Sequence, residues 1–235
     1  SSSAAGLDAA IDGANAAPWT DLPNGSPIWA NVTSIGSGAV GAATGNPMLI
    51  RENIAGAWFS SIFTDAKNAN IISIQTFAAG TESSLNNYIV PDGSAGDPWV
   101  GQGPFQGDAL LFQNNFLYQF NGAAGTLQAE VNARLAVDNN QYNVDPQLTS
   151  ISRTEFSGGL DPRPKMAGPA ASGAPAPAAN DGYIQTVPYF GAFDPQEALW
   201  TNEWTALSFY GYTPSVTVIA ADCDCATDGP TGGGK

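Results

Sequence analysis

Asp222, Asp224 and Asp228, within Asp222-Cys-Asp-Cys-Ala-Thr-Asp-Gly229, place three carboxylates in seven positions. Hard oxygen ligands at such spacing suit calcium. The twelve-residue calcium loop is not met, however, because Asp is missing at its fifth position and the closing Glu is absent. A solvated acidic tail is the competing reading. Cys223 and Cys225 alternate with these carboxylates, and in an extended strand their side chains would point the same way. A soft-metal site would need more Cys or His, yet the chain has two cysteines and no histidine. A bond across one intervening residue would be strained, so free thiols, a local strained disulfide and bridges to another chain all remain open.

Paired carboxylates can also hydrolyse or cleave polysaccharide. Glu52, Asp65 and Asp108 qualify only because they lie in or beside strand-like stretches, and turn or solvated-face roles explain them as well. Arg51 and Lys67 are equally unspecific. The lack of histidine removes serine-histidine and cysteine-histidine catalysis within the chain. Asn24-Gly-Ser26, followed by Pro27, and Asn31-Val-Thr33 match the glycosylation sequon and suggest surface exposure. Gly36-Ser-Gly38 lacks a phosphate-loop context. No enzyme activity and no nucleotide site are expected.

What must position these groups follows from composition. The 235 residues can bury one substantial core, and a single domain is simpler than two small ones. Charged residues are 12% of the chain, and 21 acidic against 7 basic residues give a net charge of -14. That balance disfavours nucleic acid and anionic lipid and favours calcium or other cations. The 27 glycines and 17 prolines favour short strands joined by many turns. Without a run of about 18 apolar residues, no membrane-spanning helix is expected. A start at Ser1-Ser-Ser-Ala-Ala, with neither Met nor signal peptide, reads as a mature, processed or excised product.

Along the chain, residues 1–25 form a surface lead-in with a weak helical period in Leu7, Ala10, Ile11 and Ala14, cut short by Gly13 and Pro18. Strands are expected over Ile28–Ile35, Met48–Arg51, Ala57–Phe63, Asn70–Gln75 and Asp108–Phe120. Met48-Leu-Ile-Arg-Glu-Asn-Ile and Leu110-Leu-Phe-Gln-Asn-Asn-Phe read as an imperfect repeat. Short strands with Asn at the corners suit a coiled solenoid, in which stacked asparagines bond one another; a β-sandwich is the alternative. Residues 126–137 carry a helical stripe in Leu127, Val131 and Leu135, with Glu130 and Arg134 spaced to pair beside it.

Further on, Val144-Asp-Pro-Gln-Leu-Thr-Ser-Ile-Ser-Arg-Thr154, Gly159-Leu-Asp-Pro-Arg-Pro164, Ala167-Gly-Pro-Ala-Ala-Ser-Gly173 and Asp181-Gly-Tyr-Ile-Gln-Thr-Val-Pro-Tyr-Phe-Gly-Ala-Phe193, with Trp200, Trp204 and Thr205, resemble the closing region of large secreted bacterial right-handed parallel β-helix proteins. Asn31-Val-Thr-Ser-Ile-Gly36 and Ser60-Ser-Ile-Phe-Thr-Asp65 are similar to rungs of the same family. The resemblance covers about residues 26–212 and implies a fold and a location more than a reaction. The chain departs from that family in lacking its long run of N-terminal rungs and in continuing from Thr213 to Lys235.

The expected fold is mainly β: a short right-handed parallel β-helix over 26–142, with one short helix. An irregular closing region and aromatic terminal module should follow over 143–212. Asp145-Pro146, Asp161-Pro162 and Asp194-Pro195 predict ordered irregular chain there rather than regular strand. Residues 164–180, rich in Ala, Pro, Gly and Ser, should run loosely along the outside. The aromatic stretch 189–212 should cover a large apolar surface. Residues 213–235 add a strand and the acidic cysteine tail. Val216, Val218 and Ile219, with Cys223 and Cys225, are the candidate self-association residues, since a strand-like segment can add to a neighbour's sheet edge. The expected function is an extracellular or cell-surface structural protein assembling into a homopolymeric filament. A secreted carbohydrate-binding or polysaccharide-degrading domain is the alternative.

Overall fold

The computed structural model describes residues 7–8, 27–36, 38, 48–50, 56–66, 72–74, 110–120, 139–176 and 184–215. The chain is mainly β, as its turn-rich composition requires. Ten strands come first: β1 (Leu7–Asp8), β2 (Ile28–Ala30), β3 (Thr33–Ile35), β4 (Met48–Ile50), β5 (Gly56–Phe59), β6 (Ile62–Ala66), β7 (Ile72–Ile74), β8 (Leu110–Gln113), β9 (Phe116–Phe120) and β10 (Gln141–Tyr142). They form three sheets, ordered β1-β4-β7, β2-β5-β8 and β10-β9-β6-β3. Every pairing in these sheets is parallel. The chain therefore visits the three sheets in the same order three times, with β1 to β9 paired at intervals of three strands, and β10 then adds beside β9.

Three expectations change here. Ile28–Ile35 is not one strand but β2 and β3, and the stretches at 57 and 110 divide in the same way. The break is a recurring bend at which Asn31, Ser60, Asn114 and Asn139 take φ of 53°, 48°, 57° and 56°. Asn tolerates this left-handed conformation because its short amide bonds locally. The proposed repeat also shifts: Met48 lies in β4 and pairs with Ile72, whereas Leu110 lies in β8 and pairs with Gly56. Apolar triplets look alike in any sheet, so triplet similarity alone could not fix the register. Leu7–Asp8, read as weakly helical, is strand because it pairs with Met48 and Leu49.

The true repeat follows from the register. Trp29 faces Trp58, which faces Phe112, and the Trp58 and Phe112 rings stack at 4.7 Å with planes 10° apart. Thr33, Ile62 and Phe116 form a second column. At the bend between them the Val32 N–H bonds Ser61 Oγ at 3.0 Å, and the Ser61 N–H bonds Asn115 Oδ1 at 2.9 Å. Asn115 Nδ2 donates to Asn140 Oδ1 and to the Trp58 carbonyl, each at 3.0 Å. The expected stacking of asparagines at a corner is thus present at Asn115 and Asn140. It satisfies backbone groups that are fully buried and would otherwise be unpaired.

The closing segment is more regular than its prolines suggest. β11 (Leu148–Ile151) and β12 (Leu160–Pro164) form an antiparallel pair with Ile151 opposite Leu160. Pro162 and Pro164 fit within β12 because a two-stranded sheet gives each strand a free side that needs no N–H donor. A 3-10 turn over Pro169–Ala171 follows, and Ala170 is fully buried, so this stretch is packed rather than loose. A helix, α1 (Ala206–Phe209), begins at Thr205, whose side chain accepts from the Ser208 N–H. The helical stripe at 126–137 lies outside the described residues, as do 1–6 and 9–25 of the lead-in. No helix among the described residues is long and apolar enough to cross a membrane.

Candidate functional site

Strand alternation gives the sheet β10-β9-β6-β3 two faces. Phe63 and Leu117 bury themselves on one, while Ile62 and Phe116 bury themselves on the other. The closing segment covers the second face: Phe190 and Ala170 pack with Ile62 and Phe116, and Leu148 joins their rim. The Phe116 and Phe190 rings meet edge to face at 4.9 Å. One backbone and one side-chain bond fix this seat, from the Gly191 N–H to the Ser60 carbonyl at 2.8 Å and from the Asn31 Nδ2 amide to the Tyr189 carbonyl at 2.9 Å. Gly191 must be glycine, since its φ is +79° and a Cβ there would lie 2.5 Å from Thr33 Oγ1.

The same face is left open at its β3 end. A cavity of about 430 Å³ has Thr33, Ile35 and Gly36 as its floor. Its walls come from the β11–β12 hairpin, through Ile151, Arg153, Leu160 and Pro162, and from the aromatic segment, through Phe193, Leu207 and Tyr212. Arg153 ties hairpin to sheet, because its Nη2 meets Asp65 Oδ2 at 2.5 Å and also donates to the Gly36 carbonyl. Asp65 is buried and engaged by this guanidinium, which gives the candidate acid a structural partner. In β12 of the same hairpin, Arg163 grips buried Asp161 through Nε and Nη2 at 2.9 and 2.7 Å, and this bonding raises the guanidinium pKa above its usual value. Tyr212 donates to Glu155 Oε1 at 3.0 Å, and its pKa is raised by desolvation first and then by that carboxylate. The recess is a mostly aliphatic and aromatic slot with one cation already neutralised at its edge.

The aromatic stretch divides, contrary to the expectation that it covers a core as a unit. Phe190 and Leu199 are buried, but Trp200, Trp204 and Phe209 are 56%, 69% and 80% exposed. Phe193, Trp200 and Trp204 stack on one another with successive centroids 5.7 Å apart. Their indole donors are satisfied locally, Trp200 Nε1 by the Ala192 carbonyl and Trp204 Nε1 by the Trp200 carbonyl. Composition alone shows neither split, because a sequence of aromatics does not say which rings find the sheet and which find one another.

Of the residues singled out from sequence, Asp65 is placed in the ion pair above. Glu52, Asp108, Arg51 and Lys67 lie outside the described residues. So do Asp222, Asp224 and Asp228, and Val216, Val218, Ile219, Cys223 and Cys225. Among the described residues no cluster of three or more metal-ligating side chains occurs. Sequence reasoning missed the recess, whose floor and walls are about 120 to 180 residues apart in the chain. The nearest signal was the alternation in Thr33-Ser-Ile35, which puts two side chains on the face that the recess opens onto. Comparison with known proteins finds no family model, no curated protein and no solved structure that matches this chain.

Proposed function

We propose that this chain is a short right-handed parallel β-helix belonging to an extracellular structural protein whose copies associate into a surface filament. The observation that carries the reading is the pairing of β1 to β9 at intervals of three strands, in three parallel sheets visited in constant order. A chain satisfies that pattern most simply by coiling, and parallel crossovers are almost always right-handed. The resemblance of 143–205 to the closing region of secreted β-helix proteins supports the location, as does an acidic surface poor in charge. Self-association is supported by the β3 edge, which pairs with β6 on one side and with no described strand on the other. Unpaired strand edges invite another chain, and a head-to-tail contact that does not close yields a filament.

The test is the size of the native assembly, by negative-stain microscopy and light scattering, for the full chain and for a chain ending at Ser215. The truncation spares Thr213 and Pro214, which Asn202 holds at 2.9 and 3.3 Å. Filaments from the full chain that vanish on truncation are the expected result. Monomers in both cases overturn the proposal.

The exposed rings of Trp200 and Trp204, stacked beside half-buried Phe193, favour a second reading, a carbohydrate-binding domain, since aromatic faces offer stacking surface for sugar rings. Polysaccharide binding that is lost in Trp204→Ala, with folding intact, would select it.

A further inference from the structure

The recess lies over the face of the sheet that the closing segment covers elsewhere. Thr33 stands in register with Ile62 and Phe116, which Phe190 and Ala170 cover. Ile35, two residues on, shares that face. One more strand added beside β3 would therefore direct alternate side chains into the recess, against Phe193, Leu207 and Tyr212. The same end of the structure is under-buried. Residues 28–35 are half-buried throughout, whereas their partners at 57–64 are buried. The interior column stops at this line of chain without a cover among the described residues, while on the outer face the Ala192 N–H bonds Thr33 Oγ1 at 2.9 Å and Ile35 is left to the recess.

We infer that this recess is an acceptor site for a strand of a second copy, and that Val216–Ala221 is the strand it accepts; this rests on the self-association reading above. Val216-Thr-Val-Ile-Ala-Ala221 is β-prone and uncharged within a chain of net charge -14. Its Val216 and Val218 share one strand face, which matches an apolar slot able to take alternate side chains. The donor comes from a neighbour because Tyr212 is itself a wall of the slot. Only three residues separate Tyr212 from Val216, and Asn202 fixes two of them, Thr213 and Pro214. A strand of the same copy would have to double back across its own wall about Ser215 alone. A neighbour's strand faces no such constraint, and each copy then offers one donor and one acceptor, which propagates a chain of copies.

Full-length chains carrying Cys223→Ser and Cys225→Ser isolate strand addition from disulfide bridging. One variant blocks the acceptor with Leu207→Asp, an exposed wall residue, and a parallel one does so with Ile35→Asp. Another blocks the donor with Val218→Asp. Circular dichroism and urea midpoints confirm that each is folded, and Leu207→Asp serves alone if Ile35→Asp is not. By analytical ultracentrifugation each blocked variant should be monomeric, and a 1:1 mixture of acceptor-blocked and donor-blocked chains should form dimers and nothing larger. A mixture that stays monomeric while the unblocked chain assembles overturns the acceptor assignment. Blocked variants that still polymerise place self-association elsewhere and overturn only this site. An unblocked chain that is itself monomeric overturns the self-association reading together with this one.

Discussion

The parallel stack and the closing segment use the same residue types to opposite ends. In the stack, Trp58, Phe112 and Phe116 are fully buried, and equivalent residues sit over one another because the backbone register places them there. In the closing segment, Phe193, Trp200 and Trp204 also stack, but at the surface and through short-range turns and side-chain bonds. Repetition across distant lines of chain makes a core; local bonding makes a shape that needs a core to rest on. Phe190 and Gly191 are the joint between the two.

The contrast predicts a ranking of substitutions. Phe116→Ala removes a ring shared by both regions and should cost about 4 kcal/mol, read as a lowered urea midpoint with an unchanged slope. A loss under about 1 kcal/mol would mean that the closing segment does not sit on this sheet. Asn115→Ala leaves the Ser61 N–H and the Trp58 carbonyl without this partner in a buried bend. Its expected cost is about 3 kcal/mol, and slowed hydrogen exchange at Ser61 in the variant would contradict the bonding described.

Gly191→Ala sharpens the joint itself. A left-handed alanine costs about 1–2 kcal/mol, to which the approach to Thr33 Oγ1 adds strain. Limited proteolysis should then cut within 184–215 while the parallel strands stay protected; uniform protection of both regions would refute the joint. Ser60→Gly works in the other direction. Ser60 holds φ of 48° where Asn31, Asn114 and Asn139 hold similar values, so glycine should stabilise by about 0.5–1 kcal/mol. Its Oγ bond to the Pro175 carbonyl, 3.3 Å long, is a small offset. The smallest effect belongs to Trp204→Ala, under about 0.5 kcal/mol for an exposed ring outside the core. A thermal melt that drops by many degrees would show that the surface ladder carries stability after all.

Much of the parallel stack was legible in the residues, for definite reasons. β-branched and aromatic runs marked most of the strands, but not the bends that divide them, since Asn31, Ser60 and Asn114 lie inside runs that read as continuous strand and only the pairing shows the left-handed turn there. The closing segment was less legible. Asp161-Pro162 signals an irregular chain by local rules, yet it lies in β12 because a two-stranded sheet has free sides where proline does no harm. The recess was the least legible, since no local pattern joins Thr33 to Arg153 and Tyr212.

By itself, then, the sequence determined the chemistry available: no histidine, few cations, an acidic surface, β-prone runs and turn residues at the bends. Each follows from residue type alone. Only tertiary structure decided register, because an apolar triplet such as Met48-Leu-Ile50 or Leu110-Leu-Phe112 suits any sheet until its pairing partner is known. It likewise decided which aromatics were buried. Burial is a property of what lies opposite a ring, and for Phe190 that is Phe116, 74 positions away.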